Sequence, residues 1–253
     1  MKLTFLGTGT SQGVPVITCT CEVCRSPDPR DKRLRCSVLL EVGDKVIVID
    51  TGPDFRQQML REQVMQLDGV VFTHPHKDHI AGMDDVRAFN FRQRRPMDIY
   101  ANELTLSALK REYAYVFAED RYPGIPDIRV HLLNGAPFEA AGIELIPIPV
   151  MHYKMPVLGF RIGDLAYITD ANYIPPESLA KLHGVKVLVL NALRKTEHLS
   201  HFSLSQAIAM SRQIGPQHTY LTHISHLMGR HAIVSEELPA NVTIAHDGLS
   251  IAL

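Results

Sequence analysis

Apolar and polar positions along this chain form short apolar runs separated by amphipathic stretches. Short runs rich in β-branched residues predict strands, in an early and a late group. The predicted strands are Lys2–Leu6, Ser37–Val42, Val46–Asp50, Val70–Thr73, Asp98–Ala101, Ile143–Val150, Leu158–Ile162, Leu165–Thr169, Val185–Asn191, His218–Thr222, Val242–Ala245 and Leu249–Ala252. An apolar period near that of an α-helix predicts the remaining elements. The predicted helices are Asp54–Glu62, Asn102–Phe117, Pro176–Leu182, Ser203–Ile214 and Ile233–Leu238.

The turns between these elements indicate how they are arranged. Gly43-Asp44-Lys45 and His246-Asp247-Gly248 are typical of hairpin turns between adjacent strands. Short strands, hairpins and interspersed helices favour an α+β fold in which sheets pack together with helices outside. Because no linker, repeat or low-complexity segment interrupts the pattern, residues 1–253 are predicted to form a single domain.

Composition narrows the class of protein. The chain has 253 residues, 45% of them apolar and 21% charged, which is ordinary for a globular protein with a sizeable core. A formal net charge of −1 argues against a nucleic-acid or membrane surface. No apolar run approaches the roughly 18 residues of a membrane span, and Gly7 interrupts the first segment too early for a signal peptide. A cytoplasmic location is therefore expected.

The segment His74–His79 contains metal-ligand side chains of two kinds. Because side chains alternate along an extended segment, His74 and His76 can reach one ion. Asp78 and His79 follow where the chain turns, and can serve a second ion beside the first. Imidazole and carboxylate together favour zinc, manganese or iron over calcium or magnesium. A chance excess of histidine is the alternative, and the density of ligands in one short segment makes it the weaker interpretation.

Three further ligand-type residues follow predicted strands: His152, Asp170 and His223. A residue at a strand end is held by the sheet yet exposed at its edge, which is the placement that a rigid site needs. Each one alone is more often a surface or turn residue. Their joint recurrence after apolar strands favours one metal centre, shared with the first segment.

Cys19, Cys21 and Cys24 place three thiols in one short loop. In a cytoplasmic chain such thiols are more often metal ligands or free thiols than disulfides. Three thiolates need a fourth ligand to complete a tetrahedral zinc site, and Cys36 and His226 are the candidates. Buried or redox-active thiols are the alternative. Cys36, which precedes an apolar strand, is more typical of a small core residue.

The candidate ligands resemble, in order and spacing, the ligand series of the metallo-β-lactamase superfamily: His74, His76, Asp78, His79, His152, Asp170 and His223. The resemblance implies an αββα four-layer sandwich with two divalent ions, Mn²⁺ or Zn²⁺, at one edge of the sheets. It implies one ion on His74, His76 and His152. It implies the other on Asp78, His79 and His223, with Asp170 bridging. Asp50 matches the superfamily's first motif and would orient ligands.

A narrower resemblance rests on the segments Leu6–Pro15 and Thr222–His226 together with the cysteine loop. These segments are similar to the phosphodiesterases of the carbon–phosphorus lyase pathway, which cleave phosphoribosyl cyclic phosphate. That resemblance implies one structural Zn²⁺ on four residues: Cys19, Cys21, Cys24 and His226. It also makes His201 the general acid by its order and spacing, and it implies a homodimer.

These features predict a phosphoric diester hydrolase. A metal-bridging hydroxide suits in-line attack at phosphorus, and a histidine that titrates near neutrality suits protonation of the leaving alkoxide. The catalytic residues predicted are His201 and the metal ligand Asp78. The expected partner is a small phosphodiester, with a cyclic ester favoured, either phosphoribosyl cyclic phosphate-like or a nucleotide, and neither a membrane nor a nucleic acid. The alternatives are a ribonuclease Z-like nuclease, although no basic arm is found, and a non-catalytic sensor, although no ligand is missing.

Two weaker patterns remain. The loop Gly7–Ser11 follows a strand and either offers backbone N–H groups to a phosphate or forms a tight turn. Four arginines crowd one short stretch and either grip an anionic substrate or lie on a solvated surface, and the surface is favoured: Arg87, Arg92, Arg94 and Arg95. No motif assigns the segment Arg87–Pro126.

Overall fold

Two β-sheets and their covering helices build the molecule. The structure, a computed structural model, describes residues 1–120 and 122–253. The strands are β1 (Lys2–Gly7), β2 (Ser37–Val42), β3 (Lys45–Ile49), β4 (Gly69–Val71), β5 (Met97–Ala101), β6 (Ile128–Leu132), β7 (Phe138–Ala140), β8 (Ile143–His152), β9 (Met155–Ile162), β10 (Leu165–Ile168), β11 (Val187–Asn191), β12 (His218–Thr222), β13 (Val242–Ile244) and β14 (Ser250–Ala252). The helices are α1 (Phe55–Arg61), α2 (Lys77–Ile80), α3 (Arg87–Gln93), α4 (Glu103–Glu112), α5 (Ala114–Phe117), α6 (Pro176–Lys181), α7 (Leu204–Ile214) and α8 (His231–Glu237), with 3₁₀ turns at Pro29–Asp31, Met83–Val86 and His226–Met228.

The strand directions bring several chain segments to one edge. The first sheet has the order β14-β1-β2-β3-β4-β5-β6 and the second the order β13-β12-β11-β10-β9-β8-β7. Strands β3 to β6 are parallel, and so are β10 to β13. Because β9 is antiparallel to both β8 and β10, the strands β8, β10 and β12 run in the same direction. The segments after these strands therefore lie at the same edge of their sheet.

The core explains the apolar runs. Along β2, Val38 and Leu40 pack between the sheets, whereas Leu39 packs under the helices. The large side chains between the sheets include Phe5, Phe160 and Tyr167, each with no exposed surface. A sheet buried on both faces needs continuous apolar strands rather than alternating ones. The predicted αββα sandwich is confirmed.

Two predictions from the sequence were wrong, one about a helix and one about a hairpin turn. The predicted helix Asn102–Phe117 is two helices that meet at Tyr113, whose hydroxyl donates to the carbonyl of Ile80 at 2.8 Å. The turn at residues 246–248 does not join neighbouring strands, because β13 and β14 lie in different sheets. Asp247 instead accepts hydrogen bonds from the backbone N–H groups of Thr8 and Leu34, at 2.9 and 2.7 Å.

The segment Arg87–Pro126 is mostly built into the first sheet and its helices. It contains α3, β5, α4 and α5, and one of its residues, Arg121, lies outside the described residues. Four elements have no signal in the apolar pattern of the sequence: α2, α3, β6 and β7, which are short elements of three to seven residues. In the described part of the chain, no helix is long and apolar enough to cross a membrane.

Candidate metal centre

Three residues that follow strands have a left-handed backbone. Asp50, Asp170 and His223 have φ angles of 66°, 52° and 58°. A positive φ is uncommon for residues other than glycine, and such strain tends to accumulate at functional sites. Asp50 and His223 directly follow β3 and β12, and Asp170 lies two residues after β10. The sharp turn after each strand aims the side chain along the sheet edge.

The candidate ligands converge on Asp170, and its two carboxylate oxygens face different groups. Oδ2 of Asp170 lies 3.7 Å from Nε2 of His74. Oδ1 lies 3.4 Å from Nε2 of His79 and 3.2 Å from Nε2 of His223. The carboxylate therefore stands between two sets of donor atoms, as a residue that bridges two ions would.

The first set contains three histidines. Nε2 of His74 and Nδ1 of His76 are 3.1 Å apart, which is close to the ~3.3 Å between two nitrogens on one tetrahedral zinc. The ring of His152 lies 5.1 Å from that of His76. Nδ1–H of His152 donates to the carbonyl of Ser200 at 2.7 Å, so its Nε2 is left free to bind a cation.

The second set is a buried cluster of two carboxylates and two imidazoles: Asp78, His79, Asp170 and His223. Oδ2 of Asp78 lies 3.3 Å from Nε2 of His79 and 3.7 Å from Nε2 of His223. Among the described residues, neither of these Nε2 atoms has a hydrogen-bond partner. A buried polar atom without a partner is costly, and a divalent cation between the carboxylates would satisfy both nitrogens. This donor set fits a metal ion.

Asp50 holds the rings of both sets in place. It is fully buried and accepts from the backbone N–H of Thr73 at 2.8 Å and from Nδ1–H of His79 at 2.7 Å. The hydroxyl of Thr73 also donates to Asp50 at 2.7 Å, and Nδ1 of His74 lies 2.9 Å from that hydroxyl. A carboxylate only accepts hydrogen bonds, so His79 carries a proton on Nδ1. The Thr73 hydroxyl, which donates to Asp50, likewise accepts from Nδ1–H of His74. The Nε2 atoms of both rings therefore face the centre.

Charge in the cluster favours cation binding. Burial opposes the charge of Asp170, but the imidazoles of His223 and His79 hold its pKa well below the ordinary value. Burial also opposes the charge of Asp78, but the neighbouring imidazoles of His79 and His223 lower its pKa. Burial lowers the pKa of His79 less than the carboxylates of Asp170 and Asp78 raise it, so that pKa stands well above its usual value. A proton on His79 thus occupies the place that a cation would take.

His201 lies against both sets of ligands. Its ring stacks on His223 with centroids 4.8 Å apart and lies 4.5 Å from His152. A donor atom of His201 also forms a close group with His152 and Asp170. Burial, and then the neighbouring His223, lower the pKa of His201 to about 3. Burial thus opposes protonation of His201 in the free protein, an effect that the sequence does not show.

The three clustered thiols meet His226 rather than Cys36. The sulfurs of Cys19, Cys21 and Cys24 lie 3.2, 3.4 and 3.6 Å from Nδ1 of His226. Ligands of one tetrahedral zinc are separated by about 3.5–3.8 Å for these atom types. A hydrogen bond from the Cys24 N–H lowers the pKa of Cys21 to about 6. Cys36 is buried elsewhere, with its sulfur 3.4 Å from the Tyr167 hydroxyl.

Backbone pairing joins the loop Gly7–Ser11 to the segment that carries His223. Ile224, next to His223, donates to the carbonyl of Thr8 at 2.8 Å and accepts from the N–H of Thr10 at 3.1 Å. The N–H of Gly9 donates to the carbonyl of Leu34 at 2.7 Å. The N–H groups of Thr8, Gly9 and Thr10 are used within the protein, which favours a tight turn over a phosphate cradle.

The remaining sequence candidates lie away from the ligands. Arg87 pairs with Asp84 at 3.3 Å, and Arg95 pairs with Asp68 at 2.5 Å. These ion pairs agree with the favoured interpretation of the arginines as surface residues.

Comparison with known proteins identifies the family. A family model described as a beta-lactamase superfamily domain matches residues 45–224. The chain belongs to the metallo-β-lactamase superfamily. A solved structure described as a new diphosphatase from the PhnP family is 40% identical, with a TM-score of 0.93 over 100% of this chain and 97% of that one. This similarity agrees with the narrower resemblance found in the sequence.

Two further relatives of this chain differ in how much of their length and fold they share with it. An octanoyltransferase of Porphyromonas gingivalis is 39% identical over 98% of this chain and 51% of that protein, so the chain spans about half of that relative. The human tRNase Z, short form, has a TM-score of 0.74 at 18% identity, over 100% of this chain and 99% of that one. At that identity the similarity shows the fold alone. Most members of the superfamily are hydrolases, and the site described above suits that chemistry.

Proposed function

We propose that the protein is a dinuclear metal-dependent phosphodiesterase that hydrolyses a small phosphate ester, with a cyclic ester favoured. The observation that carries the proposal is the placement of Asp170 between two sets of donors, with Oδ2 facing His74 and Oδ1 facing His79 and His223. The PhnP-family relative at 40% identity, described as a diphosphatase, supports chemistry at phosphorus.

Two divalent ions, Mn²⁺ or Zn²⁺, would supply Lewis acidity and activate water at this centre. One would be held by His74, His76 and His152, and the other by Asp78, His79 and His223, with Asp170 shared. One structural Zn²⁺ would be held by Cys19, Cys21, Cys24 and His226. All other steps are assigned to side chains of the protein.

His201 is assigned to the leaving oxygen. It lies beside His152 and His223, and its Nδ1 is buried with no partner among the described residues. The pKa of His201 in the free protein is about 3, so the ring is neutral at pH 7. The negative charge of a bound ester raises that pKa, since an opposite charge nearby favours the protonated ring. The ring takes up a proton from water when the ester binds, and His201 then gives that proton to the leaving alkoxide.

The proposal is tested on a panel of cyclic and linear phosphodiesters with the Mn²⁺- or Zn²⁺-loaded protein. Asp170→Asn should lower turnover on the order of 10²-fold or more, because it removes the shared carboxylate. Asp164→Asn, at an exposed aspartate paired with Lys186, is the matched control and should not change turnover. Absence of turnover on every ester, with both ions bound, would favour a non-catalytic sensor. Tight, salt-dependent RNA binding with RNA cleavage would favour the nuclease.

The partner predicted for this activity is a small phosphodiester, and the homodimer stays a prediction. Light scattering of the purified protein measures the oligomeric state directly.

A further inference from the structure

A cavity of about 350 Å³ opens beside the metal centre. His76, His152 and the turn Tyr153-Lys154 all line it. His76 is an exposed member of the candidate ligand set, so the cavity is continuous with the centre. A volume of this size suits a small-molecule group. A substrate whose phosphate lies on the ligands would place its remaining part here.

The tip of the β8–β9 hairpin presents an aromatic ring to this cavity. His152 pairs with Met155, so Tyr153 and Lys154 form a two-residue turn. Tyr153 has a φ of 56°, at a turn position where glycine is usual, and its side chain is about half exposed (48%). Because about half of this side chain is exposed, packing in the core does not account for a tyrosine in this strained turn.

Hydrogen bonds fix this tip to the metal centre. The N–H of Tyr153 donates to the side-chain oxygen of Asn172 at 2.7 Å, and the Asn172 amide donates to the carbonyl of Leu199 at 3.2 Å. Asn172 is two residues beyond Asp170, and Leu199 precedes Ser200, which holds His152. The backbone of Tyr153 is therefore held by the same segments that carry the candidate ligands.

The charge of the cavity favours an anion. Nζ of Lys154 lies 5.2 Å from the centroid of the Tyr153 ring. The other described lining residues are Met155, Leu199, Ser200 and the two histidines, with no carboxylate side chain among them. An aromatic surface and an ammonium group thus lie within reach of one ligand.

We propose that Tyr153 and Lys154 bind the part of the substrate beyond the scissile phosphate, and that this part is a nucleotide. Its planar base stacks on Tyr153, and a second phosphate pairs with Lys154. The inference rests on the proposed function and adds the substrate class to it. Stacking of a base on an aromatic ring tolerates any base, so the subsite selects nucleotides over plain alkyl esters without selecting a sequence.

Two esters with the same leaving group isolate the contribution of the base: thymidine 5′-(p-nitrophenyl phosphate) and methyl p-nitrophenyl phosphate. The ratio of their kcat/KM values should fall about tenfold in Tyr153→Ala, through KM, and should be retained in Tyr153→Phe. Phe91→Ala removes another exposed aromatic ring, on α3, and should not change the ratio. An unchanged ratio in Tyr153→Ala, or equal losses on both esters, would overturn the stacking role.

The second phosphate is tested by binding. Calorimetry of the metal-loaded protein should show that thymidine 3′,5′-bisphosphate binds more tightly than thymidine 5′-phosphate. Lys154→Ala should reduce that preference at least about threefold, and Lys154→Arg should keep it. Equal affinities for the two nucleotides in the wild type would overturn the role of Lys154. If the wild type cleaves neither p-nitrophenyl ester, the proposed function fails, and calorimetry with the Tyr153 and Lys154 variants still decides the subsite.

Discussion

Replacement of Asp50 by asparagine tests how the ligand rings are oriented. The change keeps the size of the side chain and replaces one acceptor oxygen by an N–H₂ donor. Asp50 accepts three hydrogen bonds, two from Thr73 at 2.8 and 2.7 Å and one from Nδ1–H of His79 at 2.7 Å. An asparagine cannot accept all three, so a donor of Thr73 or His79 must face an N–H group. Either orientation weakens the control of the His79 ring and, through the Thr73 hydroxyl, of the His74 ring.

The expected cost follows from these contacts. Loss of the groups that orient metal-binding histidines typically lowers metal affinity about 10–100-fold, or about 1.4–2.7 kcal/mol. A buried donor left without an acceptor costs about 1–3 kcal/mol, which is the same range. Asp50→Asn should therefore lower the binding affinity for both ions by about that factor. Thr73→Val removes only the hydroxyl, so it should lower the affinity for the ion at His74 more than the affinity for the ion at His79.

Titration of the metal-free protein with Zn²⁺, in competition with a chromophoric chelator, measures both affinities. The matched control is Asp44→Asn, at an exposed aspartate that pairs with Lys45 at 3.0 Å, and its affinities should equal those of the wild type. Circular dichroism verifies that each variant is folded. Unchanged Zn²⁺ affinity in folded Asp50→Asn would refute the argument, because the rings would then be oriented by other contacts.

Three other outcomes are expected. Cys21→Ser should remove one zinc per chain and lower the melting temperature, because structural zinc binding contributes directly to folding; Cys36→Ala, outside the cluster, should keep the zinc, and an unchanged zinc count in Cys21→Ser would disprove the site. His201→Ala should slow an ester with a poor alkoxide leaving group about 10²–10⁴-fold and a p-nitrophenyl ester much less; equal losses on both would show that the ring positions substrate instead. Burial, and then Arg33, lower the pKa of His231 to about 4, so the unfolded chain binds more protons below its ordinary pKa of about 6.5 and stability should rise with pH between about 4 and 6.5. As the pH falls over that range, the free energy of unfolding measured with urea should drop by up to about 3 kcal/mol more in the wild type than in His231→Gln. Equal drops in the two proteins would contradict the assignment.

The amino-acid sequence determined the layers of this fold and the identity of the candidate ligands. Both faces of the central strands are buried, so β2 and β3 read as continuous apolar runs whatever the strand order. The ligands His74, Asp170 and His223 were visible because each follows such a run. Short elements were not predicted, because a one-turn helix such as α2 has too few residues to show the helical period of apolar positions.

Only the tertiary structure decided what depends on residues far apart in the chain. The choice of His226 over Cys36 depends on a contact between residues 24 and 226, and the pairing of Asp50 with His79 depends on two strands that meet side by side. The neutral state of His201 likewise depends on burial against His223. Local patterns report the backbone preference and polarity of each segment, whereas burial and the distances between charges are set by how distant segments pack. The pKa shifts and the arrangement of the candidate ligands are therefore properties of the folded chain.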